Sequence, residues 1–274
     1  MAVTLNAGFL DGERGRLFCL SHDPAGDVPI RGHALILPPF AEEMNCARRF
    51  MKRLAVALAD AGMAVRLVDP YGTGDSAGDF DAADWALWLS DGQTICRQLA
   101  DAAAPLTVIG LRTGALLAAQ LCAAGSPVAR LGLIDPVVDG QKFLRQFLRL
   151  RIAANMRHGV RESTRDLLDR LTAGEAVDVA GYRLPPGLAN PLGDLSLSTL
   201  PMPTAPVYWY ALTPPGATDT PVYRPPAGWD AAHLHHRTIE SPAFWQAAEP
   251  PHDCPAVAAA IRADLASPAS AAAG

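Results

Sequence analysis

The residues in this chain that could do chemistry are few, and their spacing names the reaction they would serve. Gly110-Leu111-Arg112-Thr113-Gly114 closes an apolar run and opens a helix-forming one within Leu106 to Ala124. A buried strand, a very short turn and a helix form the frame that presents a serine for acyl transfer, written Gly-x-Ser-x-Gly. Here arginine stands at the serine's place. A guanidinium stays protonated at physiological pH and cannot attack a carbonyl carbon. The other two members of such a site are present in the expected chain order, an acid after a late strand and a histidine after the last one. Asp219 follows the seventh strand of the expected sheet, and Asp135 and Asp139 follow the sixth as alternatives. His252 stands in Glu249-Pro250-Pro251-His252-Asp253, ahead of the final helix.

Arg112 at the elbow has two readings. Projected into a cleft at a helix N-terminus, it would add to unpaired N–H groups that already favour negative charge, and so suggests an anion site. The alternative is an internal ion pair, favoured here because an unpaired buried charge is costly. The loop Pro38-Pro39-Phe40-Ala41-Glu42-Glu43-Met44-Asn45 lies on the oxyanion side, and either Glu42 or Glu43 could satisfy the arginine. Thr113 is the residue whose backbone N–H would serve an oxyanion hole, so its hydroxyl is expected to turn from the cleft. Cys46 could edge the site, but nothing pairs it with His252. The glycine-rich run Asp69 to Gly78 contains Ser76, read as structural. His233, His235 and His236 lack a spaced carboxylate or cysteine partner, and an alternating strand would split them between two faces, so no metal site is expected. No cofactor is expected either.

Positioning these residues requires a particular order of elements. Ala7 to Leu10 and Arg16 to Ser21 flank Asp11-Gly12-Glu13-Arg14-Gly15, a hairpin signal. Continuous apolar runs at Ala34 to Leu37, Ala64 to Val68, Leu106 to Gly110 and Leu131 to Ile134 read as strands buried on both faces. Helices are expected over Cys46 to Ala61, capped by Asn45 and closed by Gly62, and over Ala82 to Ala103. Strand–helix alternation implies right-handed crossovers and a doubly wound, mostly parallel α/β sheet. Residues 141–203 depart from the alternation. Lys142 to Arg151 is amphipathic, with Phe143, Leu144, Phe147 and Leu148 on one face, and reads as a cap helix over a cleft in preference to a membrane-surface helix. Gly181 to Leu200 would complete a small cap. Pro206 to Leu212 and His235 to Glu240 are the last strands, and Pro255 to Ala266 the last helix. One domain over 1–266 with a flexible tail over 267–274 is expected.

Composition narrows the class of function. The chain has 274 residues, half of them hydrophobic, and a net charge of −5 of mixed sign, which gives no electrostatic case for nucleic acid. Basic residues are nearly all arginine; lysine occurs only at Lys52 and Lys142. Five scattered cysteines without C-x-x-C spacing suggest reduced thiols in a cytoplasmic protein. No signal pattern and no membrane-spanning run is seen.

Asp69-Pro70-Tyr71-Gly72-Thr73-Gly74-Asp75-Ser76-Ala77-Gly78 resembles the loop after the fourth strand of α/β-hydrolases. With PPFAEEMN after the third strand and GLRTGALLAAQL at the elbow, the chain resembles the α/β-hydrolase group known as hydrolase 2, exosortase A system-associated. The segments GQKFLRQFLRLR, AGYRLPP and SPAFWQAAE are similar to the same group, so the resemblance spans nearly the whole chain. It implies the α/β-hydrolase fold and an association with exosortase and PEP-CTERM sorting in clusters tied to exopolysaccharide. A protein partner from that system, or a small-molecule ligand or acyl substrate, is implied. Two functions are compatible: a degenerate hydrolase that binds a small, possibly anionic ligand or a partner, and an active ester or thioester hydrolase with a displaced nucleophile and His252. Membrane contact is not expected.

Overall fold

The computed structural model describes residues 3–26, 28–100, 104–156, 159–216, 224–246 and 253–266. The chain opens with β1 (Val3–Asp11) and β2 (Arg16–Pro24), paired antiparallel. Alternation follows through β3 (Gly32–Leu37), α1 (Glu42–Ala59), β4 (Met63–Val68), α2 (Trp85–Ala100), β5 (Leu106–Leu111), α3 (Thr113–Ala123) and β6 (Arg130–Ile134). Then come α4 (Gly140–Met156), α5 (Thr164–Thr172), the two-stranded β7 (Val177–Val179) and β8 (Tyr182–Leu184), and α6 (Pro186–Asp194). The sheet resumes with β9 (Val207–Thr213) and β10 (Leu234–Glu240), and α7 (Pro255–Leu265) is the last helix described.

Eight strands form one sheet in the order β1-β2-β4-β3-β5-β6-β9-β10. Only the β1/β2 and β2/β4 pairings are antiparallel. This is the doubly wound, mostly parallel α/β sheet that the sequence predicts. The central strands β3 and β5 are buried at every residue because helices cover both faces. Successive side chains point to opposite faces. Ala34 and Ile36 therefore pack with α1 and α7, while Leu35 and Leu37 pack with α2, α3 and the segment after β6.

Several boundaries differ from expectation, each for a local reason. Helix α1 starts at Glu42, not after Asn45, because Ala41 turns the chain at φ 54° and two glutamates complement the helix N-terminus. Asn45 lies inside the helix and caps nothing; its amide donates to the Tyr182 hydroxyl at 2.8 Å. Helix α2 starts at Trp85, since Phe80–Ala82 make a short 3-10 turn and the Asp84 carboxylate accepts from the N–H of Ala86 at 2.8 Å.

In the segment after β6, α4 buries Phe143, Leu144, Phe147 and Leu148, the face the spacing assigns. That apolar stripe is covered by protein and is not displayed at the surface. The hairpin β7–β8 and the helices α5 and α6 are additions to what the sequence predicts for this segment. Helix α5 carries a capping box between Ser163 and Asp166, and Pro186 stands at the first turn of α6. Among the described residues no helix is long and apolar enough to cross a membrane.

Candidate active site at the elbow

The turn between β5 and α3 is built so tightly that both of its glycines are sterically required. A Cβ on Gly110 would lie 2.3 Å from the carbonyl oxygen of Gly114, and one on Gly114 would lie 2.3 Å from the carbonyl oxygen of Leu37. Between them Arg112 takes φ 55°, ψ −115°. Ala41 after β3 and Asp135 after β6 also have positive φ, 54° and 39°, so three strained residues stand at the carboxyl ends of three adjacent strands. Non-glycine residues in such conformations cost roughly 1–3 kcal/mol each and persist where surrounding structure fixes them, commonly at functional sites.

The Arg112 side chain is buried and held from two sides. Its Nη1 donates to Asp135 Oδ2 at 3.0 Å and to the Asp135 carbonyl at 3.1 Å. Its Nε and Nη2 face the two carboxylate oxygens of Glu43, each at 3.4 Å. The guanidinium also lies 5.0 Å above the Trp245 ring, a cation–π contact. One cation thus meets two carboxylates. The internal pairing is with Glu43, while Glu42 accepts from the Tyr182 hydroxyl at 3.1 Å and takes no part in it. Asp135 is the closer partner. Sequence reading placed it only as an alternative acid, because nothing in the sequence shows that β5 and β6 are neighbours ending at the same height. Its other oxygen accepts from the Leu212 N–H at 3.2 Å. Burial pushes both carboxyls above their ordinary pKa, opposed in each case by Arg112; for Glu43 the nearby Asp135 adds to the rise.

The expected oxyanion side is also committed. Phe40 N–H donates to Thr113 Oγ1 at 3.1 Å, so the threonine hydroxyl turns to the β3–α1 loop and uses a donor that acyl transfer would need.

Arg112 lines two cavities. One, of about 260 Å³, lies towards Val137, Asp139 and Lys142. The larger, about 480 Å³, has walls of Phe40, Phe143, Phe147, Leu150 and Trp245. Its polar lining includes Glu42, Glu43 and Gln146 beside Arg112. Phe40 anchors the α4 side, with ring centroids 5.5 Å from Phe143 and 5.2 Å from Phe147. Trp245 was missed as a site residue because its place beside Arg112 depends on tertiary packing.

The remaining sequence candidates separate clearly. Asp139 caps α4, accepting from the Lys142 N–H at 2.9 Å, and so serves the helix. Ser76 donates to the Asp69 carbonyl at 2.5 Å and accepts from the Phe18 N–H at 2.8 Å, a brace between β2 and the glycine loop. The Cys46 thiol is pushed up by burial and by the adjacent Glu42, which disfavours the thiolate. His235 stacks on Tyr208 at 4.6 Å, and His233 Nδ1 lies 3.6 Å from Asp230. Among the described residues no group of three His, Cys, Asp or Glu could hold a metal ion. Asp219 and His252 lie outside the described residues.

The profile of the family described as Hydrolase_4: Serine aminopeptidase, S33 matches residues 31–178, which is more than half of the chain. The chain belongs to this family. The matched stretch of this Hydrolase_4 protein holds the β3–α1 loop, the glycine loop and the elbow. Est1E from Butyrivibrio proteoclasticus, solved with ferulic acid, is similar in structure with a TM-score of 0.68 at 14% identity, over 94% of this chain and 97% of that one. A putative hydrolase from Agrobacterium vitis S4 matches at 0.60 with 16% identity, over 96% and 99%. Cfl2 from Burkholderia cenocepacia matches at 0.59 with 19% identity, over 94% and 95%. At these identities the likeness shows the α/β-hydrolase fold alone. No protein of curated function matches.

Proposed function

We propose that this protein is a degenerate α/β-hydrolase that binds a small ligand in the aromatic cavity beside Arg112 and does not turn over esters through its elbow. The observation that carries this reading is the Arg112 side chain, buried where a nucleophile would stand and held by Asp135 and Glu43. A residue so placed blocks the attack position and offers no lone pair. The Phe40 N–H spent on Thr113 supports the same reading. A fluorophosphonate probe should leave the protein unlabelled. Stoichiometric labelling of any residue, or ester turnover lost on His252→Ala, would favour the active hydrolase with a displaced nucleophile instead.

We propose as its setting the cytoplasmic side of an exosortase and exopolysaccharide system, with a protein partner from that system. Support comes from the segments PPFAEEMN, VDPYGTGDSAG and GLRTGALLAAQL. Deleting the gene should alter exopolysaccharide or PEP-CTERM protein sorting; unchanged sorting and polymer would remove this setting.

A further inference from the structure

The cavity beside Arg112 has aromatic walls and an excess of carboxylate. Among the described residues Arg112 is shared between Asp135 and Glu43, so with both carboxyls ionised this described part of the cluster carries a formal excess of one negative charge. Glu42, on the same cavity, adds another; the described groups that contact it, the Tyr182 hydroxyl, the Asn45 amide and the Cys46 thiol, carry no positive charge. No other cation lines this cavity among the described residues. A carboxylate or phosphate arriving here would meet a guanidinium already spoken for and two glutamates beside it.

Glu43 is the under-used group. Both of its contacts to Arg112 are 3.4 Å, well beyond the roughly 2.7–2.9 Å of a strong charge-assisted bond. A carboxylate has about four acceptor positions, so Glu43 can serve a second donor without releasing the arginine. Its side chain keeps 22% exposure and shares the cavity lining with Phe147, Trp245 and Gln146. Aromatic faces attract a cation that has lost part of its water shell. The volume, about 480 Å³, falls in the range of small-molecule pockets, roughly 300–1,000 Å³.

Building on the proposal that the cavity binds a small ligand, we infer that this ligand is an amphiphilic amine: an apolar alkyl or aryl body against Phe40, Phe143, Phe147 and Leu150, with its ammonium on Glu43 and Glu42. Arg112 then has a definite role. It fixes the Glu43 carboxylate at the cavity end and keeps two neighbouring acids from repelling each other.

Titration calorimetry of the full chain with octylammonium, octanol and octanoate at pH 7.5 tests this. Octylammonium should bind at least about tenfold more tightly than octanoate and measurably more tightly than octanol. Raising salt from low to high should weaken octylammonium alone. Glu43→Gln should remove the preference while octanol binding stays, and Phe147→Ala should weaken all three. Octanoate equal or superior to octylammonium would overturn the amine assignment and leave the cavity reading intact, as would octanol matching octylammonium at low salt. Failure of all three to bind would sink the cavity reading itself. If Glu43→Gln does not fold, the salt series on the unmodified protein still decides between charge and apolar burial.

Discussion

Arg48–Asp69 and Arg112–Asp135 are both arginine–aspartate pairs at the carboxyl ends of parallel strands, with N···O distances of 2.9 and 3.0 Å. Asp69, after β4, is wrapped by its own loop. Its carboxylate also accepts from the Asp75 N–H at 3.2 Å, and its carbonyl takes the Ser76 hydroxyl. Arg48 keeps a third of its side chain exposed, at 33%. Asp135, after β6, has no such loop around it. Its arginine comes from the elbow, both side chains are buried at 8% and 5% exposure, and a second carboxylate and a cavity border the pair. The same two residue types therefore serve different ends. One pair closes a turn and lets its cation face water, while the other holds charge inside the molecule beside open space.

That contrast predicts very different responses to mutation. The largest effect should come from Arg112→Met, which leaves Asp135 buried without its cation; losing one partner of a buried pair costs about 3–5 kcal/mol. Adding Asp135→Leu should recover only part of that loss, because it removes one stranded carboxylate but leaves Glu43 without Arg112, at a side chain that keeps 22% exposure. Urea denaturation of the single and double variants measures both steps, and a single variant as stable as the parent would mean the pair is not held as described. Asp69→Ala should cost less, about 1.5–3 kcal/mol for hydrogen bonds to a charged group, because Arg48 can return to water. It should also leave octylammonium binding unchanged; weakened binding would erase the distinction between the two pairs.

The smallest effect is a pH dependence remote from both pairs. His22 on β2 and His33 on β3 are buried at 1% and 6% exposure. Burial holds both pKa values below the ordinary 6.5, with Lys52 adding to the effect at His22 and Arg66 at His33, partly opposed by Asp23. Below that pH the unfolded chain binds more protons than the folded one, so their contribution is complete above about pH 6.5 and is lost as pH falls. Each unit of difference corresponds to about 1.4 kcal/mol. Stability measured from pH 7.5 to 5 should therefore fall, and His22→Gln should flatten the slope. The carboxyls of Glu43 and Asp135 act in the opposite sense, since their raised pKa values favour the folded state most at low pH. A slope unchanged by His22→Gln would assign the acid sensitivity elsewhere.

Much of the fold was legible because local rules and burial agreed. The apolar runs at 34–37, 64–68, 106–110 and 131–134 fall within strands β3 to β6, and turn chemistry marked their ends. The stripe of Phe143, Leu144, Phe147 and Leu148 gave the inward face of α4 from spacing alone. Where two local signals competed, the reading slipped: Asn45 looked like a helix cap, but the backbone turn at Ala41 had already started the helix. The hairpin β7–β8 was invisible because each strand has three residues, too few to show a period.

The sequence by itself determined the alternation of strands and helices from β3 to β6, the close-packed elbow and the presence of arginine at its tip. These follow from periodicity, from the two glycines that allow β5 and α3 to touch, and from side-chain identity. Only the tertiary structure decided what that arginine does. Its partners Asp135 and Glu43, the ring of Trp245 and the aromatic walls come from segments far apart in the chain. Whether a buried charge is satisfied, and by how many opposite charges, depends on distances across strands that no local pattern specifies.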